Sequence, residues 1–179
     1  MSRLTLAGLK DFDEIYELME TSFPDIEHRT KEDQRDLFKD NAYQVWIVRQ
    51  DNGTLGGFLS TWDFGDFRFA EHFAVNPALR GHGLGKEMLA DWLDSSCLPA
   101  VLEVELPENE IAKRRIGFYE RLGFRLNTFP YLQPPMQKGK DNLPLYIMSY
   151  PAALTAEDFL PWKKILYTRV YKTDAFSGC

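Results

Sequence analysis

Residues 78–89 read ALRGHGLGKEML, and this glycine-rich stretch is the most informative part of the sequence for the fold. It follows the run Phe67–Val75, which alternates as a strand does, and it leads into the apolar stripe of a helix. The first turn of such a helix presents unpaired N–H groups, and the helix dipole favours an anion there. Gly81, Gly83 and Gly85 allow positive φ and a close approach of the main chain. The stretch therefore predicts a phosphate-binding loop in an α/β protein.

Two other phosphate-binding loops are excluded by their spacing. A Walker loop reads G-x-x-x-x-G-K-[ST], but here Arg80 stands at its first glycine and Glu87 at its hydroxyl position. The dinucleotide pattern G-x-G-x-x-G fails because Lys86 stands at its third glycine. The pattern that remains is R-x-x-G-x-G, in which the Arg80 guanidinium adds a permanent positive charge.

Helical and extended patterns alternate along the chain, which indicates an α/β fold with a mixed central sheet flanked by helices. Strands are predicted at 4–6, 44–49, 55–64, 67–75, 101–106, 124–129 and 145–150. The pair Asn52-Gly53 predicts a hairpin turn between the second and the third of them. Helices are predicted from 12 to a break at Phe23-Pro24, at 31–39, from 84 to before Pro99 and at 111–122. A last helix is predicted beyond Thr155, where Thr155 and Asp158 form a capping pattern. No repeat or polar linker divides the chain, so we expect a single domain over 1–179. Its segment 155–179 forms a C-terminal helix that packs on this domain or on a partner.

Composition and charge exclude several classes of protein. The chain has 179 residues, 44% hydrophobic and 27% charged, with a net charge of −6, which argues against a nucleic-acid or anionic-membrane partner. Cys97 and Cys179 are too few for a disulfide framework, and Cys97 is expected to be a buried thiol. No signal peptide, apolar span or metal-ligand spacing is present, so we expect a cytoplasmic protein without a metal.

Three segments, taken in order, resemble the GNAT superfamily of N-acetyltransferases. They are Phe73-Ala74-Val75-Asn76-Pro77, the R-x-x-G-x-G loop and Phe118-Tyr119-Glu120-Arg121-Leu122-Gly123-Phe124. The resemblance implies that acetyl-CoA is the acyl donor and that splayed central strands, 67–75 and 101–106, form its cleft. It also implies two sets of cofactor-binding residues. Main-chain groups of Phe73, Ala74 and Val75 pair with the pantetheine arm, and amides of Arg80, Gly81, His82, Gly83, Leu84, Gly85 and Lys86 hold the pyrophosphate.

The resemblance to GNAT enzymes also supplies candidates for the chemistry. Direct transfer to an amine in a ternary complex needs a group that takes the proton of the ammonium and an acid for the departing thiolate. Tyr119 matches the tyrosine of the family and is the candidate acid. Glu71 is the candidate base, because the apolar face it shares with Phe69 and Phe73 is expected to raise its pKa, with His72 on the opposite face.

Some alternatives stay open at this level. Glu71 can instead form an ion pair with a neighbouring arginine, and Glu103 and Glu105 are the next candidates for the base. In the segment before Tyr119, related sequences often have Asn and Ala where this chain has Ala112 and Arg115. The contact that an Asn side chain makes to the cofactor in those sequences therefore stays open for this chain.

Acceptor recognition is expected from two connections. They are 23–30, with Asp25, Glu27 and His28, and 130–144, with Tyr131 and Gln133. The expected acceptor is a primary amine of a small molecule. The alternatives are a protein amine, a non-catalytic acyl-CoA-binding or sensing domain, and an interaction module built around 163–172. The tail helix can close the monomer or build a homodimer.

Overall fold

Strands and helices alternate throughout residues 3–173, the part of the chain that this computed structural model describes. The strands are β1 (Thr5–Leu6), β2 (Tyr43–Arg49), β3 (Leu55–Asp63), β4 (Arg68–Val75), β5 (Ala100–Glu105), β6 (Arg125–Gln133) and β7 (Leu143–Tyr150). The helices are α1 (Phe12–Ser22), α2 (Lys31–Asp36), α3 (Leu84–Asp94), α4 (Glu110–Arg121) and α5 (Ala156–Ile165). The predicted α/β class is confirmed, and most predicted boundaries lie within two residues of the observed ones.

The chain divides into two compact units, residues 1–100 and 101–179. The organisation of 1–179 as one domain stays a prediction. Of the predicted tail segment, residues 174–179 lie outside the described residues, and Cys179 is among them. Cys97 is exposed, so the prediction of a buried thiol was wrong.

The first unit is built on four antiparallel strands in the order β1-β2-β3-β4. The predicted turn between β2 and β3 is present: Gly53 has φ +85° and donates its N–H to the carbonyl of Gln50 at 2.8 Å. Helix α1 packs against β3 and β4 and buries its apolar stripe, which comprises Phe12, Ile15 and Met19. The core of this unit therefore lies between the sheet and the apolar stripe of α1, as the helical spacing of these residues predicts.

Strand β4 contains one more residue than the stretch of β3 that it pairs with. Ser60 lies opposite His72, but the next residue of β3, Thr61, lies opposite Ala70. Glu71 is therefore the extra residue of a β-bulge. The Ser60 side chain stabilises the bulge, because its Oγ accepts the His72 N–H at 3.0 Å.

The bulge reverses the side-chain alternation along β4. Phe69 lies opposite Trp62, and Phe73 lies opposite Leu59. Directly opposed residues of an antiparallel pair share a face, and Trp62 and Leu59 point to different faces of β3. Phe73 and Val75 therefore face away from Phe69, and the prediction of one common face for Phe69 and Phe73 was wrong. A one-residue shift of register transfers every later side chain to the other face.

Helix α3 is fixed at its C-terminal end by the buried Arg68 at the start of β4. The Arg68 guanidinium donates to the carbonyl of Trp92 at 2.7 Å and to that of Leu93 at 3.2 Å. It also reaches the carbonyls of Ser96 and Leu98, both at 3.4 Å, and lies 4.3 Å from the Trp92 ring centre. Because the last carbonyls of a helix have no partner within it, one side chain here satisfies several of them.

In the second unit β7 lies between β5 and β6, and β6 pairs with β7 in antiparallel orientation. Strand β6 continues to Gln133, four residues beyond its predicted end, so Tyr131 and Gln133 lie in a strand rather than in a loop. Helix α5 begins with the predicted capping box of Thr155 and Asp158. Its Phe159 ring stacks on Phe129 with centroids 5.4 Å apart, so the described part of the tail packs on its own unit.

Among the helices of residues 3–173, none has the length and apolar character that crossing a bilayer requires.

Replacing Arg68 by Lys is expected to lower the free energy of unfolding by about 2 kcal/mol, because an ammonium cannot reach several carbonyls at once. Urea denaturation measures the change. The control is Arg125→Lys, the same replacement at an exposed position of β6, which should stay within about 0.5 kcal/mol of the wild type. Equal stability of both variants would contradict the capping role of Arg68.

Candidate functional site

The glycine loop lies where the sequence predicts it, between the end of β4 and the start of α3. Gly81 has φ +82° and Gly83 has φ +83°, and Gly83 is the residue that caps α3. A Cβ atom at either glycine would meet no atom within 4 Å, so the main chain is open to solvent on that side. The positive φ of these glycines is required by the path of the loop and not by crowding. Turns that contain such residues are typical of anion-binding sites.

The first turn of α3 completes the loop. The N–H groups of Leu84, Gly85 and Lys86 have no acceptor within the helix, because such an acceptor would lie before its start. Arg80 Nε donates to the carbonyl of Val75 at 3.2 Å, which ties the loop to the end of β4. Within residues 3–173 its two terminal nitrogens make no hydrogen bond, so they can bind an anion. The loop residues Arg80, Gly81, His82 and Lys86 are exposed.

Phe73 and Val75 set the position of α3 relative to β4. A Cβ on Gly85 would lie 3.0 Å from the Phe73 ring and 3.3 Å from Val75 Cγ2, so only glycine fits here without a shift. These two side chains reach α3 because the bulge at Glu71 turns them toward it. The predicted cofactor-binding residues Phe73, Val75 and Gly85 are thus in direct contact, and Ala74 pairs with Phe58 on β3.

Glu71 forms a buried ion pair with Arg29, from the connection between α1 and α2. Arg29 Nη2 lies 2.6 Å from Glu71 Oε1, and the two side chains are 7% and 1% exposed. Trp62 Nε1 donates to Oε2 at 3.4 Å. Burial alone would raise the pKa of Glu71, but the Arg29 guanidinium and the neighbouring His72 outweigh it and lower that pKa to about 2.

The expectation that the pKa of Glu71 rises toward neutrality was therefore wrong, and the arginine ion pair is present. The expected separation of Glu71 and His72 on opposite faces was also wrong. His72 Nδ1 lies 3.7 Å from Glu71 Oε2 because both residues belong to the bulge. A carboxylate held ionised by an arginine is a weak proton acceptor near neutral pH.

The Glu71–Arg29 pair belongs to a network that fixes the 23–30 connection to β4. The Arg29 carbonyl accepts the Tyr16 hydroxyl at 2.9 Å, and His72 Nε2 lies 2.6 Å from the carbonyl of Glu27. Arg29 Nη1 also donates to Gln34 at 3.4 Å. Sequence reasoning missed Arg29, because nothing in the sequence near either residue relates Arg29 to a strand 42 positions later.

Tyr119 lies half-buried on α4, between the rings of Phe118 and Phe124, whose centroids are 5.3 and 5.8 Å from its own. Its hydroxyl donates no hydrogen bond to any residue of 3–173. Burial raises the pKa of Tyr119 to about 12, with a partly opposing effect of the charge on Arg115. The phenol is therefore protonated at neutral pH, and its proton is not engaged by a main-chain carbonyl.

The two other carboxylates named from the sequence differ in their surroundings. Glu105 is paired with Arg115 at 3.0 Å, in a partly exposed position. Glu103 Oε1 accepts hydrogen bonds from Gln133 Nε2 at 3.3 Å and from the Tyr171 hydroxyl. Among the described residues, no cluster of three or more His, Cys, Asp or Glu side chains is arranged to hold a metal ion.

Sequence comparison identifies the class of protein that this loop and helix order belong to. The sequence model of the acetyltransferase (GNAT) family matches residues 12–124, which include β4, the glycine loop and α4. The chain belongs to the GNAT family of acetyltransferases. The resemblance seen in the sequence is thereby confirmed, and GNAT acetyltransferases use acetyl-CoA as the acyl donor.

Solved structures agree with this assignment. A protein from Bacteroides thetaiotaomicron, described as a GNAT-family acetyltransferase, is 38% identical with a TM-score of 0.88, over 96% of this chain and 99% of that one. The ribosomal-protein-S18-alanine N-acetyltransferase from Escherichia coli is 20% identical with a TM-score of 0.64, over 88% and 98% of the two chains. A variant of the spermidine N-acetyltransferase from Vibrio cholerae is 17% identical with a TM-score of 0.61, over 83% and 94%. The last two share the fold.

One curated relative matches over part of its length. It is an uncharacterised protein from Mycobacterium leprae, 32% identical over 97 residues, which are 50% of this chain and 27% of that protein. The chain thus spans about a quarter of the length of that relative.

Replacing Glu71 by Gln should lower the free energy of unfolding at pH 7 by about 3–5 kcal/mol, because Arg29 is left buried without its counter-charge. The pKa of Glu71 is about 2 in the folded chain and about 4.5 ordinarily, so the pair stabilises fully above pH 4.5. This stabilisation is lost as pH falls toward 2, and the difference between wild type and variant should shrink accordingly. Urea denaturation at pH 7 and pH 3 measures it.

The control for this prediction is Glu17→Gln, the same replacement on the exposed side of α1. It should change the stability by less than about 0.5 kcal/mol at either pH. A Glu71→Gln variant as stable as this control at pH 7 would show that the ion pair does not contribute to the free energy of unfolding.

Proposed function

We propose that this chain transfers an acetyl group from acetyl-CoA to a primary amine of a small molecule, directly and without a covalent enzyme intermediate. The observation that carries the proposal is the loop from Arg80 to Lys86. Gly81 and Gly83 have positive φ there and leave the main chain open to solvent. The same side presents the unpaired amides of the first turn of α3 and the free guanidinium nitrogens of Arg80. Such a set of donors fits a pyrophosphate.

Two sets of residues in the first unit would bind different parts of acetyl-CoA. The amides from Arg80 to Lys86 would hold the pyrophosphate, and main-chain groups of Phe73, Ala74 and Val75 would pair with the pantetheine arm. Acetyl-CoA supplies the acetyl thioester. The Phe73 and Val75 side chains keep α3 close to β4, so the loop and the strand end would hold two parts of one ligand in fixed relation.

Tyr119 is the proposed general acid. Acetyl transfer forms a C–N bond and breaks the C–S bond, and the departing thiolate takes up a proton while the nitrogen loses protons. Tyr119 carries a proton that no described residue engages, and its pKa of about 12 keeps that proton in place over the physiological range. The free phenol supports catalysis over a purely structural role for this side chain.

Glu71 is proposed to position the 23–30 connection and not to act as the base. Its ion pair with Arg29 and the contact of His72 with the Glu27 carbonyl hold that connection against β4. Asp25 in the same connection is exposed, and Glu27 is partly so. A fixed connection with acidic side chains suits a cationic acceptor.

Coenzyme A and acetyl-CoA should each raise the melting temperature of the wild type, and Gly83→Ala should lose at least half of that shift. A ligand at a hundred times its Kd stabilises by about 2.7 kcal/mol, which a thermal-shift titration detects. The replacement forces a side chain into positive φ and disturbs the loop amides without creating a clash, since a Cβ there meets nothing.

Gly53→Ala is the matched control, because Gly53 has φ +85° and the same open surroundings but lies in the β2–β3 turn. Both variants carry the same backbone strain, and only Gly83→Ala should lose the coenzyme shift. Equal shifts in the two variants, or no shift in the wild type, would contradict the proposed loop.

Replacing Tyr119 by Phe should lower kcat by about 10²-fold with the most active amine of a panel, read by thiol release, and leave the acetyl-CoA thermal shift unchanged. Because the pKa of Tyr119 is about 12, its ionisation should not shape the rate profile between pH 7 and 10. Tyr146→Phe, at a half-buried position of β7, is the control and should keep the wild-type kcat. Full turnover in Tyr119→Phe would remove the acid role.

A further inference from the structure

Asn76 follows the last residue of β4, directly before the glycine loop, and each of its polar groups is hydrogen-bonded. Its main-chain N–H donates to the carbonyl of Gly56 at 2.8 Å, and its side-chain Nδ2 donates to the carbonyl of Leu55 at 3.1 Å. Its side-chain Oδ1 accepts the Ala78 N–H at 3.1 Å, and its carbonyl accepts the Leu79 N–H at 2.8 Å. One residue thus connects the start of β3 with the turn that leads into the loop.

The partners of the Asn76 side chain select a carboxamide at this position. The carbonyl of Leu55 requires a donor and the N–H of Ala78 requires an acceptor, and an amide group supplies both, whereas a carboxylate only accepts. Because Pro77 has no N–H, the first main-chain donor after Asn76 is that of Ala78, which a short side chain reaches. The sequence Asn76-Pro77 therefore sets the direction in which the chain leaves β4.

The start of β3 also contacts the far end of the glycine loop. A Cβ on Gly56 would lie 3.3 Å from Cδ2 of Leu84, so the first residue of α3 packs against this part of β3. Asn76 at one end of the loop and Leu84 at the other are thus both held by two adjacent residues, Leu55 and Gly56. The separation of the two ends of the loop is therefore fixed by β3.

The loop between these two ends needs such support. Gly81 and Gly83 lose more conformational freedom than other residues when the chain is ordered, and their main chain is open to solvent. A loop that must be ordered by its ligand binds more weakly than one that is already in place. The turn Pro77–Leu79, which the Asn76 side chain caps, directly precedes Arg80. The hydrogen bonds of Asn76 thus order the loop before a ligand arrives.

Resting on the proposed function, we propose that Asn76 is a positioning residue for coenzyme binding, which fixes the start of the glycine loop on β3. The loop amides and the Arg80 guanidinium then meet the pyrophosphate in a preformed arrangement. The polar groups of Asn76 already have partners within the chain, so Asn76 acts through the loop and not by contact with the ligand. This role extends the cofactor site to the first two residues of β3.

Isothermal titration calorimetry of the full chain with coenzyme A tests the role of Asn76. Asn76→Ala removes both side-chain hydrogen bonds and should raise the Kd for coenzyme A at least about tenfold. Asn76→Ser keeps a hydroxyl that can accept the Ala78 N–H but does not reach Leu55. Its Kd should lie between the other two, at least about threefold above that of the wild type and threefold below that of Asn76→Ala.

Hydrogen–deuterium exchange of the ligand-free proteins separates a local effect from a general loss of stability. Asn76→Ala should exchange faster than the wild type in peptides covering 77–86, because the start of the loop is released from β3. Exchange in peptides covering α1 should stay unchanged. Weaker coenzyme binding without faster exchange in 77–86 would overturn the positioning role, since the loss would then not arise from the loop.

Asn52→Ala is the matched control. Asn52 Oδ1 accepts the Thr54 N–H at 3.0 Å, which is the same hydrogen bond two residues along the chain, but in the β2–β3 turn. This variant should bind coenzyme A within about twofold of the wild type. Equal Kd values for the wild type, Asn76→Ala and Asn76→Ser, or an equal loss in Asn52→Ala, would overturn the role of Asn76 and leave the proposed function standing. A wild type that does not bind coenzyme A would contradict the proposed function and this inference with it.

Discussion

The extra residue in β4 fixes the direction of the side chains on either side of it. Before the bulge Phe69 faces the same side as Trp62, and after it Phe73 and Val75 face the other side. Because alternation has a period of two, removing the extra residue would send Phe73 and Val75 away from Gly85. The contact that places the glycine loop at the end of β4 therefore depends on the bulge at Glu71.

The same bulge explains the electrostatics of the first unit. It brings the Glu71 carboxylate and His72 to one face, where they meet Arg29 and the carbonyl of Glu27. A buried charge is stable only when a counter-charge and hydrogen bonds compensate for lost hydration, and Arg29 supplies both here. One strand thus supports the glycine loop through its end and an acidic connection through its middle, with different side chains for each.

Local patterns in the sequence predicted the loop and most of the fold. The glycine spacing placed the loop, and Asn52-Gly53 placed the turn, because both depend on the conformations that single residues allow. The face assignments on β4 failed, since a bulge changes the register without changing the pattern of FRFAEHFAV. The partners of Glu71 and Glu103 were beyond prediction for another reason: Arg29 is 42 positions from Glu71 and Tyr171 is 68 positions from Glu103, and only the folded chain brings them together.

The proposed function depends on binding of the acetyl-CoA pyrophosphate by the main-chain amides from Arg80 to Lys86. Hydrogen–deuterium exchange reports on these N–H groups directly, with and without saturating coenzyme A. Binding there should slow exchange in peptides covering 78–89 and leave exchange unchanged in the β2–β3 turn around Gly53, which also has a positive φ. Unchanged exchange across 78–89 while coenzyme A is bound would contradict it.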